Sequence, residues 1–116
     1  IVIGDKAFAI KRLVRENDFR ASGSGNTLFA KENFDLNIIK SSFEYADVLK
    51  TQSCTFDYVV HDGKSKILEI SYGYAIDVYE DCVGYWDKNL VFYEGKFDST
   101  NWMIDLVISQ INNKNE

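Results

Sequence analysis

Asp57 and Glu69 stand twelve positions apart, with Ser71 two residues further on and the dipeptide Asp62-Gly63 between the two acids. Asp-Gly flanked by β-rich runs is a strong hairpin signal, so Cys54 to His61 and Lys66 to Tyr72 read as the two arms of one hairpin. Parity decides whether the carboxylates meet. With a three-residue loop, His61-Asp62-Gly63, opposed residues have even summed numbers, and Asp57, Glu69 and Ser71 share one face. A two-residue Asp-Gly turn moves the register by one and puts Asp57 on the face opposite Glu69; a bulge does likewise. On the first reading, two carboxylates on neighbouring strands repel each other and call for a cation. Magnesium takes such hard oxygen ligands and keeps positions free for phosphate oxygens. Acidic residues on the solvent face of a hairpin account for the same residues without a metal, and the spacing alone does not choose.

Arg12 and Arg20 are candidates for holding phosphate or carboxylate, since a guanidinium binds such groups bidentately; both read equally well as surface charges. Arg12 is expected on the same strand face as Phe8 and Ile10. The segment Ser22-Gly23-Ser24-Gly25-Asn26 offers backbone N–H groups that could cradle phosphate, but no Walker lysine follows and Gly-x-Gly is often only a turn. His61, the single histidine, abuts the turn and reads as solvent-facing. Lys64 and Lys66 read as edge-strand charges. Tyr72, Tyr74, Tyr85 and Trp86 read as packing between sheet and helices, or as a substrate platform. Cys54 and Cys82 match no zinc or redox spacing and read as buried reduced thiols.

These groups must be positioned by one domain. The chain has 116 residues, 46% hydrophobic and 15% aromatic, with net charge −5, pI near 4.8 and no proline. That composition supports a single core and excludes disorder, and no apolar run approaches the roughly 18 residues of a membrane span. The acidic field disfavours nucleic acid. Charge is uneven, however: the first twenty residues carry +2 and the other 96 carry −7, as a solvated surface or an anion-binding region would. Ile1 to Ile3, a turn at Gly4-Asp5-Lys6 and an alternating run from Ala7 to Val14 predict two antiparallel strands. A loop follows over 17–26, then a short extended piece at Thr27 to Ala30. Leu36, Ile39, Phe43 and Ala46 predict a helix over 35–51, capped by Asn33 or Asp35. Ser99 with Trp102, Met103, Leu106, Val107 and Ile111 predicts a capped C-terminal helix. Residues 73–98 show no assignable pattern. The expected class is α+β, an antiparallel sheet with helices packed on one face. The chain opens on Ile1 without an initiator methionine and reads as a piece of a longer protein.

Taken in order, Ile1-Val2-Ile3-Gly4-Asp5-Lys6-Ala7, Ala9-Ile10-Lys11-Arg12, Asn17-Asp18-Phe19-Arg20, Phe56-Asp57-Tyr58-Val59 and Leu68-Glu69-Ile70-Ser71 resemble the C-terminal lobe of an ATP-grasp domain. The likeness is to carboxylate-amine ligases of the ribosomal-protein glutamate ligase and carbamoyl-phosphate-synthase-like type, and it spans residues 1 to about 75. It implies a partial ATP-grasp domain over 1–116, without the N-terminal lobe or the strand before Ile1.

The reaction it implies uses ATP and Mg2+ or Mn2+ to phosphorylate a small-molecule or peptide carboxylate. An amine then attacks the acyl phosphate, and ADP is released. Asp57 and Glu69 match the family's acidic metal ligands, with Ser71 at a third metal position where asparagine is usual. Leu68 matches an apolar residue that packs on adenine, and Arg12 and Arg20 fall where positive residues approach phosphate or substrate. The implied setting is cytoplasmic, with neither nucleic acid nor membrane as a partner. Self-association is expected through the exposed lobe surface, including the edge of the Ile1 to Ile3 strand. Ser71 in place of asparagine keeps open a different class, a catalytically inactive ATP-grasp-like binding or assembly module.

Overall fold

The Asp62-Gly63 turn organises the longest element of the fold. Both residues have positive φ, +50° and +70°, the geometry of a two-residue type I′ turn whose twist matches that of its strands. It joins β5 (Ser53–His61) to β6 (Lys64–Ser71). In a computed structural model describing residues 1–18 and 25–116, this hairpin forms one end of a six-stranded sheet. The other strands are β1 (Val2–Ile3), β2 (Lys6–Ala7), β7 (Gly84–Asp87) and β8 (Phe92–Glu94), and the order is β6-β5-β1-β2-β7-β8. Every pairing is antiparallel. A second, two-stranded sheet pairs β3 (Lys11–Arg12) with β4 (Thr27–Leu28).

The class is α+β with an antiparallel sheet, as the sequence pattern implies. Its layering differs from expectation, because the helices do not share one face. Val2, Ala7, Cys54 and Trp86 align across four strands and are buried with Phe56 against Ile39, Phe43 and Ala46 of α1 (Leu36–Leu49). Their strand neighbours point the other way. Ile3 and Phe8 pack with Cys82 against Trp102, Met103 and Leu106 of α2 (Ser99–Lys114). Since successive side chains of a strand alternate faces, Val2 and Ile3 each anchor a different helix.

The helix ends follow local chemistry. Asp35 caps α1 by accepting from the Asn37 N–H at 2.8 Å, and Lys50, in the left-handed region at φ +55°, ends it. The α2 cap is Asp98 rather than Ser99, accepting from the Asn101 N–H at 3.1 Å. Ser99 is buried instead and accepts from the Tyr74 hydroxyl. Gly4 turns β1 into β2 at φ +57°, and the Leu106 side chain approaches to 3.0 Å of where a Cβ would sit. A side chain there meets both backbone strain and α2.

Two expectations about the first strands are corrected. The alternating run from Ala7 to Val14 is not one strand: β2 ends at Ala7, and Lys11 and Arg12 pair in the smaller sheet. Nor does the Ile1 to Ile3 strand present an edge, because β1 is hydrogen-bonded on both sides, to β2 and to β5. The edges are β6, which carries Lys64 and Lys66, and β8. Residues 73–98, silent in the sequence, supply a 3-10 turn at Ile76–Tyr79 and then β7 and β8. Among the described residues no helix is long and apolar enough to cross a membrane.

Candidate functional site

Asp57 of β5 is paired directly with Glu69 of β6, and Thr55 with Ser71. The pairing arises from two register shifts that cancel. The two-residue turn pairs His61 with Lys64, Val60 with Ser65, Val59 with Lys66 and Tyr58 with Ile67, all with odd sums. A bulge between Asp57 and Tyr58 leaves Leu68 without a partner and restores even sums toward the open end. Either device alone separates the carboxylates; together they place Asp57 beside Glu69, where cross-strand Cβ atoms lie about 5 Å apart. Leu68, the extra residue of the bulge, is 72% exposed.

The acid pair lies on the face opposite α1. Cys54 and Phe56 point into the α1 core, so by alternation Thr55 and Asp57 face the Phe8 side. Two hydroxyls lie on the same face, two residues along each strand. Thr55 Oγ1 and Ser71 Oγ both donate to the Gly73 carbonyl, each at 3.3 Å. Ser71 thereby spends its only proton on backbone, and its oxygen keeps lone pairs of the kind a hard cation accepts.

From Gly73 the chain runs into a stack of rings. Tyr74 meets Phe8 edge-on at 5.7 Å and Tyr79 at 5.5 Å, and Tyr79 meets Phe8 at 5.6 Å. Burial lifts the Tyr79 hydroxyl above the ordinary tyrosine range; the Asp57 carboxylate adds to the rise and the Arg12 guanidinium opposes it. Tyr79 is therefore within electrostatic reach of both residues. Arg12 itself is exposed on β3, two residues beyond Ile10, which packs with Phe8 against the same cluster.

The structure thus brings Asp57, Glu69 and Ser71 onto one face, with Leu68 beside them in the chain; Arg12 stands exposed on β3, and no contact links it to them. Arg20, and residues 22–24 of the possible phosphate cradle, lie outside the described residues. Among the described residues no third His, Cys, Asp or Glu gathers with the acid pair. The fit to magnesium accordingly rests on two opposed carboxylates and one hydroxyl, a hard-oxygen set that leaves positions for water or phosphate oxygen. The pair lies on an open surface. A cleft of about 190 Å³ beside α2 is lined by Asp5, Lys6, Trp102 and Asp105, and a larger hollow of about 370 Å³ at the hairpin tip by Val59, His61, Lys64 and Lys66; neither includes Asp57 or Glu69.

Other residues behave as their types suggest. His61 stands in solvent at the turn, with Nε2 3.3 Å from Asp62 Oδ2. Cys54 and Cys82 are free and buried, in cores on opposite faces of the sheet. Burial pushes the Cys82 thiol up to about 11, so it is not a nucleophile near neutrality. Thr55, Gly73 and Tyr79 were missed in the sequence. Thr55 was within reach of the parity argument that placed Asp57, whereas nothing in the unpatterned 73–98 stretch announced Tyr79. No protein-family model, characterised protein or solved structure matches the chain.

Proposed function

We propose that this chain is the metal- and nucleotide-holding lobe of an ATP-grasp ligase, which uses ATP to activate a carboxylate and join it to an amine. The observation that carries the reading is the cross-strand pairing of Asp57 with Glu69 on one face, with the hydroxyl of Ser71 next in line. Phosphoryl transfer makes few covalent demands on a protein; it needs the phosphates positioned and their charge neutralised. Asp57, Glu69 and Ser71 would hold a magnesium ion, which when bound neutralises charge on the transferring phosphoryl group. Leu68, thrust out by the bulge, would offer an apolar surface to the adenine ring, and Arg12, exposed on β3, would supply a cation. Arg20 completes the proposed set from the segment the structure leaves undescribed.

The acid pair on an open surface implies weak binding by the chain alone. Water screens exposed contacts, so we expect no ATPase activity and magnesium-ATP affinity no tighter than about millimolar. With Mn2+ and ATP, paramagnetic broadening of NMR signals should centre on residues 57 and 69–71. Asp57→Asn should abolish it while leaving unfolding stability within about 0.5 kcal/mol, since removing one of two repelling charges costs the fold little. Broadening centred elsewhere, or micromolar binding, would overturn the reading. In an enzyme containing this lobe, ADP and phosphate should appear only with both acid and nucleophile present, and hydroxylamine should trap the acyl phosphate as a hydroxamate. AMP and pyrophosphate would instead indicate adenylation.

A further inference from the structure

We propose that the outer face of α2 pairs with the same face of a second copy of this chain, the two helices running antiparallel. The inference goes beyond the reading above and does not depend on the acid pair. β1, whose edge was expected to bring copies together, is interior to the sheet, so association needs another surface.

The helix is apolar on two sides. Trp102, Met103 and Leu106 pack against the Ile3 and Phe8 cluster. Ile104, Val107, Ile108 and Ile111 recur at i, i+3, i+4 and i+7, the spacing of a second stripe, and the helical turn points them away from Trp102 and Leu106. These four are between 47% and 54% exposed, and every residue from Val107 to Glu116 is exposed. Among the described residues, little covers the second half of α2. Composition does not hold it in a helix either. Val107, Ile108 and Ile111 are β-branched, and Ser109, Asn112 and Asn113 are also weak helix formers. A stretch this short is marginal in water without a packed face. Aliphatic side chains kept where Lys, Glu or Ala would support the helix better suit a face that another helix covers.

A second copy fits because the stripe is symmetric about its centre. Turned end for end, it sets Ile104 against Ile111 and Val107 against Ile108 of the other copy, the self-complementarity that a two-fold interface requires. The stripe carries no charge, since Asp105 and Lys114 fall outside it, so two chains of net charge −5 meet there without carboxylates at the centre. Antiparallel packing also sets the positive end of each helix dipole beside the negative end of the other, which parallel packing does not. Four half-exposed side chains cover far less than the roughly 800 Å² per partner of a standard interface. The pair should accordingly be weak, with a Kd of about 0.1–1 mM.

Sedimentation and amide NMR between about 20 μM and about 1 mM bracket that Kd and test the pairing on the chain as it stands. Dimer should appear at the upper end, with shifts and slowed amide exchange confined to residues 104–114. Ile108→Glu should raise the Kd at least about tenfold, while its urea midpoint at the lower concentration matches the parent, because the residue is exposed. A nitroxide on Lys114→Cys, with the buried Cys54 and Cys82 left unlabelled, should broaden residues 100–104 of 15N-labelled parent mixed with it. Broadening at residues 111–115 instead would mean parallel pairing and overturn the proposal, as would a dimer that Ile108→Glu leaves intact. A chain that stays monomeric throughout also overturns it, and the face then belongs to a different partner. None of these outcomes moves the Mn2+-ATP broadening at residue 57, so the two readings stand or fall separately.

Discussion

On the α1 side of the sheet, Val2, Ala7, Cys54, Phe56 and Trp86 close against Ile39, Phe43 and Ala46, and Asp57 and Glu69 lie on the opposite face. On the other side Ile3, Phe8 and Cys82 lie under Tyr74, Tyr79, Tyr85, Phe97 and Trp102, and the surface continues outward into Thr55, Asp57 and Glu69. One face is finished by its helix. The other is covered by α2 over only part of its area and offers polar groups beyond the rings. Both are written in the same strands: in β5 alone, Cys54 and Phe56 serve the first face while Thr55 and Asp57 serve the second. The comparison teaches that alternation lets a short strand carry a core and a site at once, provided the register holds.

Breaking the second face at its centre should have the largest effect. Phe8 is 1% exposed and touches the rings of Tyr74, Tyr79, Phe97 and Trp102. Phe8→Ala should cost about 3–5 kcal/mol, read as a lowered midpoint in urea unfolding. A loss under about 1 kcal/mol would mean the aromatic cluster is not the core of that face.

A smaller effect should appear at high pH. The Cys82 thiol lies on this same face, and its pKa rises from 9.0 to about 11 on folding. Between those values the folded state binds more protons than the unfolded state, so stability must fall as pH rises across that window. The loss should approach roughly 2–3 kcal/mol by pH 11. Urea midpoints at pH 8 and at pH 11 check it: Cys82→Ala should remove this part of the decline. An unchanged decline in Cys82→Ala would show that this thiol does not set the pH dependence of its face.

The smallest effect tests independence. Asp35→Ala removes the α1 cap and should cost about 1 kcal/mol, while leaving Mn2+-ATP broadening around residue 57 unchanged. Weakened broadening at equal folded fraction would show that the α1 face couples to the site.

Much of this was legible in the residues. Asp62-Gly63 announced its hairpin because few dipeptides accept two positive φ values. Leu36, Ile39, Phe43 and Ala46 announced α1 through their spacing, and Asp35 its cap. The juxtaposition of Asp57 with Glu69 was legible only as one of two registers. It came about through a two-residue turn corrected by a bulge at Leu68, and a bulge is set by the balance of twist and packing along the whole hairpin rather than by a local motif.

The sequence by itself determined which residues want helix, turn or strand, and that twelve positions separate the two acids, because those preferences act over a few bonds. Only the tertiary structure decided that α1 and α2 take opposite faces, that β1 lies inside the sheet, and that Tyr79 packs edge-on against Phe8. Those outcomes depend on contacts between residues far apart in the chain. Phe8 against Tyr79 and Thr55 with Ser71 against Gly73 form only when the whole core closes, and no window of sequence contains both partners of the first.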